Sequence, residues 1–84
     1  MPEQVVTLTN DVGLHARPAA VFSRAAAGYS CEVTLVKNEQ EANAKSILSV
    51  LKIDVKKGDV VTIRTRGEGA DDALAELVKL IDEL

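Results

Sequence analysis

Hydrophobic and polar residues alternate along four short stretches of the chain, which is the period expected of half-buried β-strands. The first predicted strand runs from Gln4 to Thr9 and gives way to a loop over residues 10–13. The others are Cys31–Lys37, a short Glu41–Asn43, and a strand that carries Val61 and Ile63 and ends at Gly67. Because only a polar turn at 38–40 separates the second from the third, these two are expected to form a hairpin.

Three further stretches are typical of helices. Ala16–Ala27 is rich in the best helix former and stops at Gly28, a residue suited to the left-handed position after a helix. Ser46 is expected to cap a short helix that extends to Lys52. From Ala70 onward, apolar residues recur at the three- and four-residue spacing that places one stripe along a helix: Ala73, Leu74, Leu77, Val78, Ile81 and Leu84.

The order of these elements, βαββαβα, predicts an α+β fold of the open-faced sandwich type. A four-stranded, mainly antiparallel sheet is covered on one face by three helices, and its other face meets water. The chain of 84 residues is long enough for one domain, spanning 1–84. With 46% hydrophobic residues but only one Tyr, one Phe and no Trp, its core is expected to be aliphatic.

Composition excludes several classes of function. A net charge of −3 argues against a general nucleic-acid binder, which normally carries a basic patch. Cys31 is the only cysteine, so no internal disulfide or cysteine metal site is possible, and a reducing cytoplasm fits best. The first residues lack the pattern of a signal peptide, and no apolar run is long enough to insert into a membrane.

His15, the only histidine, lies at the start of the alanine-rich helix. A helix N-terminus presents unpaired N–H groups and a partial positive charge, which together bind anions. Arg17 adds a guanidinium suited to phosphate oxygens, and Pro18 is tolerated in the first helical turn. These residues predict phosphoryl chemistry on His15.

Other readings of His15 are weaker or less specific. One histidine cannot supply the ligands of a zinc site, and no carboxylate lies at helical spacing from it, so no metal is expected. A hydrolytic triad lacks a second histidine or cysteine and any evident oriented base. From the residues alone, an exposed or capping histidine without chemistry stays open as the alternative.

Two motifs resemble those of the HPr family, the histidine-containing phosphocarrier proteins of the bacterial phosphoenolpyruvate:sugar phosphotransferase system. Gly13–Ala19 is similar to the active-site signature of that family, and Asn43–Leu48 to the segment around its regulatory serine. The resemblance extends over essentially the whole chain. It implies a phosphocarrier, a transfer intermediate that needs no cofactor and is not itself an enzyme.

The resemblance also implies roles for residues and partners. His15 receives a phosphoryl group on Nδ1 from phosphorylated enzyme I and passes it to a sugar-specific enzyme IIA. Arg17 and the backbone amides near Ala16 and Arg17 hold the phosphate. Both partners reach the same small face in turn, so a monomer is expected.

A docking face is implied by the same resemblance, at the start of the first helix and along the short second helix. We use "docking face" for five residues: Ala20, Arg24, Ile47, Leu48 and Leu51. The alternative for the four apolar members is ordinary core, since a short helix must bury something to be stable. For Arg24 the alternatives are a rim charge facing acidic partners and an exposed arginine without a specific role.

Ser46 has two interpretations. In many Gram-positive members of the family the corresponding serine is phosphorylated by an HPr kinase, which opposes docking and creates a partner for a transcriptional regulator. The alternative is a plain N-cap, which needs the same residue type. The chain departs from the usual pattern at Ser49 and over Lys52–Val55, where a leucine and glycine pair is absent, and this weakens the expected kinase and regulator contacts.

Two other functions remain open. An HPr-like regulatory module would bind a transcription factor or kinase, or serve a nitrogen-linked or dihydroxyacetone-linked branch, instead of feeding sugar permeases. A small interaction domain with an incidental histidine is the third reading, since fold alone does not fix function. The intact His15 in its motif favours the carrier.

Overall fold

The computed structural model describes residues 2–9, 11 and 13–84 and contains the seven elements expected, in the expected order. Residues 10 and 12 of the predicted loop lie outside the described part of the chain. The elements are β1 (Glu3–Thr7), α1 (Ala16–Ala27), β2 (Glu32–Lys37), β3 (Gln40–Asn43), α2 (Ile47–Lys52), β4 (Val60–Arg66) and α3 (Ala70–Glu83).

The four strands form one sheet in the order β1-β4-β2-β3, and every neighbouring pair is antiparallel. The register brings apolar residues opposite one another on the inner face: Val6 with Val61, and Leu35 with both Ile63 and Ala42. The opposite face carries exposed or half-buried residues such as Val5, which is 62% exposed. This confirms the antiparallel open-faced sandwich.

The core lies between the inner face of the sheet and the three helices. Its hydrophobic members are aliphatic apart from Cys31 and Phe22, which is fully buried on α1, as the composition predicts. Helix α3 contributes the apolar stripe expected from its spacing, with Ala70, Ala73, Leu77 and Ile81 buried.

The end of α1 differs from the prediction in its backbone geometry. The helix stops at Gly28 as expected, but Gly28 has a right-handed conformation, with φ −74° and ψ −11°. Its N–H donates to Ala25 O and the N–H of Tyr29 donates to Ala26 O, so the last turn tightens and satisfies two terminal carbonyls. The expectation of a left-handed Gly28 was therefore wrong.

Strand boundaries shift by one or two residues from the predicted ones. Strand β1 ends at Thr7 because Leu8, although buried, directs its N–H to the carbonyl of Asp59 in a loop. The β2–β3 hairpin turns on Asn38 and Glu39, with φ of 50° and 69°. Positive φ at both central residues is the geometry of a type I′ turn, which suits the twist of the two strands.

Candidate functional site

The loop that leads into α1 is fixed against the segment after α2. The N–H of Leu14 donates to Val55 O at 2.9 Å, and the side chain of Leu14 is fully buried. Gly13 passes so close to Val55 that a Cβ on it would lie 2.3 Å from the Val55 carbonyl oxygen. These contacts determine the position of His15, the next residue along the chain.

His15 is the N-cap residue of α1, with extended backbone geometry (φ −125°, ψ 161°). Its side chain makes no capping hydrogen bond, and the first turn contains no acidic residue. Pro18 has no N–H, so the donors left at this helix terminus include the amides of Ala16 and Arg17. This end of α1 keeps its positive partial charge and can bind an anion next to the imidazole.

The imidazole of His15 meets a carboxylate from a distant part of the chain. Its Nε2 lies 2.9 Å from Oδ1 of Asp54, which is a hydrogen-bonding distance. The side chains of His15 and Asp54 are 36% and 53% exposed, so the pair lies at the surface. Asp54 is not predicted from the sequence, because it lies on a distant segment and not at helical spacing from His15.

Asp54 has a left-handed backbone with φ 54°, which Asp adopts more readily than most residues. Its N–H donates to Leu51 O at 3.1 Å, and its carbonyl accepts a 2.6 Å hydrogen bond from Nζ of Lys37. Its second carboxylate oxygen, Oδ2, lies 3.4 Å from Nζ of Lys56. The residue is thus held by both its backbone and its side chain.

Lys37, at the end of β2, also holds the next turn in place. Its Nζ lies 2.9 Å from Oδ2 of Asp59, and the same carboxylate oxygen accepts from the N–H of Lys56 at 2.8 Å. The hydrogen bond from Lys37, followed by that from the Lys56 amide, lowers the pKa of Asp59 below its usual range. One lysine therefore connects the segment carrying Asp54 to the strand and to the following turn.

Arg17 lies near the start of α1 and is exposed. Among the residues that the structure describes, none forms an ion pair or hydrogen bond with its side chain. Its guanidinium is therefore available to an anion from outside the chain, as the predicted role requires.

The structure brings most of the docking face together. Ala20, Arg24 and Ile47 line one shallow depression between α1 and α2. Leu48 projects most, with 76% of its surface exposed, and Ile47 is 38% exposed. Leu51 is half-buried and packs against the core, so for this residue the structure supports the alternative of a core position.

Ser46 is the N-cap of α2, and its hydroxyl accepts a hydrogen bond from the N–H of Ser49 at 3.4 Å. The capping role predicted from the sequence is confirmed. The side chain is half-buried, between the exposed start of α2 and the end of β3.

Side-chain clustering and helix length bear on two other kinds of site. Within residues 2–9, 11 and 13–84, no three His, Cys, Asp or Glu side chains cluster as a metal site would require. In the same part of the chain, no helix combines the length and apolar character needed to cross a bilayer.

Comparison with known proteins assigns the family. Residues 2–83 match the family model described as the PTS HPr component phosphorylation site. The chain is 39% identical over 84 residues to the phosphocarrier protein HPr of Vibrio cholerae, covering 100% of this chain and 99% of that protein. It is 36% identical over 80 residues to the phosphocarrier protein NPr of Shewanella violacea, covering 95% of this chain and 88% of the other.

The fold agrees with the sequence comparison. A crystal structure of HPr from Thermoanaerobacter tengcongensis superposes with a TM-score of 0.96 at 36% identity, covering 99% of this chain and 93% of that one. The fold is that of a small phosphocarrier domain. The chain belongs to the HPr family of phosphocarrier proteins of the phosphotransferase system.

Proposed function

We propose that the protein carries phosphoryl groups on His15 between phosphorylated enzyme I and a sugar-specific enzyme IIA. The observation that carries this proposal is the position of His15 as the N-cap of α1, beside a helix terminus with no acidic residue and no side-chain cap. A phosphoryl group on the ring would meet the amides of Ala16 and Arg17 and the exposed guanidinium of Arg17.

Phosphorylation is assigned to Nδ1. Nε2 lies beside the Asp54 carboxylate, which would repel an incoming phosphoryl group, whereas Nδ1 has no such neighbour among the contacts of His15. The partial exposure of the ring suits a carrier, because a donor and an acceptor must each reach the same nitrogen in turn.

The docking face lies on α1, the helix that begins after His15, and on α2, and it includes exposed apolar side chains. Ile47 and Leu48 present side chains to solvent at the start of α2, and Arg24 adds a positive charge in the depression that Ile47 lines. An exposed apolar patch with a charged rim is typical of a transient protein interface. A monomer in the cytoplasm, free to meet each partner through this face, is the form we propose.

Mass spectrometry tests the proposal directly. Intact mass is measured after incubation with enzyme I and phosphoenolpyruvate, before and after mild acid, for the native protein, His15→Ala and Arg17→Ala. One acid-labile phosphate is expected on the native protein and none on His15→Ala. Arg17→Ala should accept phosphate more slowly, because the anion loses one of its cations.

The stability of His15→Ala provides the control for folding. Since the side chain is partly exposed and makes no cap, the free energy of unfolding should change by less than about 1 kcal/mol. An unphosphorylated native protein, with enzyme I shown to be active on another HPr, would favour the regulatory module instead.

The branch of the phosphotransferase system is tested with the same assay. Relatives of similar identity include both an HPr and an NPr. The rate of phosphoryl transfer to the protein is measured separately with enzyme I of the sugar system and with its nitrogen-branch counterpart. Faster transfer from enzyme I is the expected result, and the reverse order would place the protein in the nitrogen branch.

Regulation through Ser46 is a separate part of the proposal. The hydroxyl is half-buried and already accepts from the Ser49 amide, so phosphorylation would replace this cap with a dianion next to Ile47. Incubation with an HPr kinase and ATP, followed by peptide mapping, should locate an acid-stable phosphate on Ser46. Absence of phosphate there would leave the N-cap as its role.

A further inference from the structure

The contact with Asp54 makes the two nitrogens of the His15 ring chemically different. A neutral imidazole has one N–H donor and one nitrogen with a free lone pair, whereas an ionised carboxylate only accepts hydrogen bonds. Nε2 lies 2.9 Å from Asp54 Oδ1, so this contact is favourable when Nε2 carries the proton. That tautomer leaves the lone pair, and hence the nucleophilic position, on Nδ1.

We propose that Asp54 is a positioning residue for phosphoryl transfer, which holds the His15 ring in the Nε2–H tautomer and balances the charge of the phosphorylated ring. This inference rests on the proposed function of His15 as the phosphoryl acceptor. It adds a residue from the segment between α2 and β4 to a site otherwise built from the start of α1.

The Asp54 carboxylate acts both before and after the transfer step: it first favours the Nε2–H tautomer and then balances the charge of the phosphorylated ring. The lone pair of Nδ1 forms a bond to phosphorus while the bond between phosphorus and the donor atom breaks, and that bonding pair stays on the donor. Nε2 keeps its proton throughout, so the ring gains a positive charge facing Asp54. When the acceptor takes the phosphoryl group, the N–P bonding pair returns to Nδ1 and the ring is neutral again.

The surrounding contacts fix the carboxylate where this role needs it. The Asp54 carbonyl is held by Nζ of Lys37, and the adjacent Val55 carbonyl accepts from the N–H of Leu14, the residue before His15. The residue before His15 is therefore hydrogen-bonded to the residue after Asp54. Nζ of Lys56 lies 3.4 Å from Oδ2 of Asp54, whereas the oxygen that faces the His15 ring is Oδ1.

The partial exposure of the pair sets the size of the effect. Water screens a charge pair at the surface, and such pairs contribute little on their own. A docked partner would exclude part of that water and strengthen the attraction between the carboxylate and the phosphorylated ring. The role of Asp54 should therefore be measured during transfer between proteins as well as in the isolated chain.

Two variants at Asp54 test the proposal, with one control. Asp54→Gly removes the carboxylate and suits the left-handed backbone, so the loop should keep its shape. Asp54→Asn keeps the shape of the side chain but removes its charge, and its amide can either accept or donate. Asp82→Asn makes the same change of charge at an exposed position on α3.

The first measurement is the tautomer of His15, read from the ring ¹⁵N shifts at about pH 8.5, where an ordinary imidazole is neutral. The native protein and Asp82→Asn should be predominantly Nε2–H. Both Asp54 variants should contain more of the Nδ1–H form. This readout needs no phosphoryl donor, and a merely structural role for Asp54 would not move it.

The second measurement is phosphoryl transfer from phosphorylated enzyme I, followed as a rate and as the equilibrium distribution of phosphate. In both Asp54 variants, the transfer rate and the equilibrium ratio of phosphorylated to unphosphorylated protein should each fall roughly two- to fivefold. This is the range expected for a partly exposed ion pair. Asp82→Asn should match the native protein.

The possible outcomes separate the two proposals. Unchanged tautomer populations in both Asp54 variants would overturn the inference, and so would a changed tautomer with unchanged transfer. If the native protein accepts no phosphate at all, the proposed function fails. The ¹⁵N shifts would in that case still decide whether Asp54 sets the tautomer of His15.

Discussion

Gly13 determines how closely the loop before His15 can approach the segment after α2. It has φ +61°, and a Cβ there would lie 2.3 Å from Val55 O and 2.7 Å from Lys56 Cα. Both atoms belong to the backbone and cannot move aside without shifting the segment that carries Asp54. The glycine in the motif is thus explained by packing as well as by conformation.

Gly13→Ala should therefore lower the free energy of unfolding by at least about 2 kcal/mol, from the strain of a left-handed alanine and from overpacking. Urea denaturation measures it. Gly58→Ala is the matched control, because Gly58 also has positive φ, at +88°, but has nothing within 4 Å of the added Cβ. Equal losses in the two variants would show that conformation alone, and not the close approach, requires Gly13.

At the same scale, part of the site could be predicted from the sequence and part could not. His15 and Arg17 lie two residues apart in one motif, and the chemistry proposed for them follows from residue type and from the start of a helix. Asp54 belongs to a segment without periodicity, and its left-handed backbone has no sequence signal as strong as a glycine. Its proximity to His15 depends on the tertiary contact between Leu14 and Val55.

Among the elements, the helices could be predicted more closely than the strands. The bounds of α1 agree with the sequence because alanine composition and Gly28 both mark its end. Alternation alone extends β1 through Leu8, but that residue is buried by a loop contact with Asp59 and not by strand pairing. Alternation of apolar and polar residues indicates which side chains are buried. A side chain can be buried without its backbone forming the hydrogen bonds of a sheet.

The short helix α2 depends on its cap. Ser46→Ala should lower the free energy of unfolding by about 0.5–1 kcal/mol, the low end for an N-cap, because the bond to the Ser49 amide is long at 3.4 Å. Thermal or urea unfolding checks it. Ser49→Ala is the control, since Ser49 contributes its backbone N–H and alanine favours a helix. A loss in Ser49→Ala as large as that in Ser46→Ala would contradict the capping explanation.

The turn after α2 predicts a dependence of stability on pH. The pKa of Asp59 is lowered in the folded protein, first by the hydrogen bond from Lys37, so the unfolded chain binds a proton at higher pH than the native one. The stabilisation is present above the ordinary carboxyl range and is lost as pH falls through the lowered native pKa.

Urea unfolding between about pH 2 and pH 6 measures that loss. Asp59→Asn should flatten the acid limb of the stability curve. Lys37→Met, which keeps the apolar stem but removes the donor, should flatten it in the same way because Lys37 is the main cause of the shift. An acid limb unchanged in both variants would mean that other carboxyl groups determine it.

In the molecule as a whole, the proposed phosphoryl site at His15 and Asp54 is formed by loops next to α1 and α2 and not by the open face of the sheet. The helices cover one face of the sheet. The loop before α1 is hydrogen-bonded to the segment after α2, and the middle of α1 lies beside the start of α2. Among the described residues, the exposed large apolar side chains are Ile47 and Leu48 on α2 and Val5 and Val60 on the sheet. Leu48 and Val5 are the most exposed of the four, at 76% and 62%. Leu48 belongs to the docking face and Val5 does not, so the two can be compared in one experiment.

Leu48→Glu should raise the KM of the protein as a substrate of enzyme I by about fivefold or more, since the variant would bury an unpaired charge against the partner. The kcat should change little, because Leu48 lies outside the reacting groups. Val5→Glu introduces the same charge away from the docking face and should leave the KM at its native value. Both variants should unfold within about 1 kcal/mol of the native protein, as expected for exposed positions. Equal KM values in the two variants would place the partner surface elsewhere, whereas a raised KM in Leu48→Glu alone would tie partner recognition to the helix that Ser46 caps.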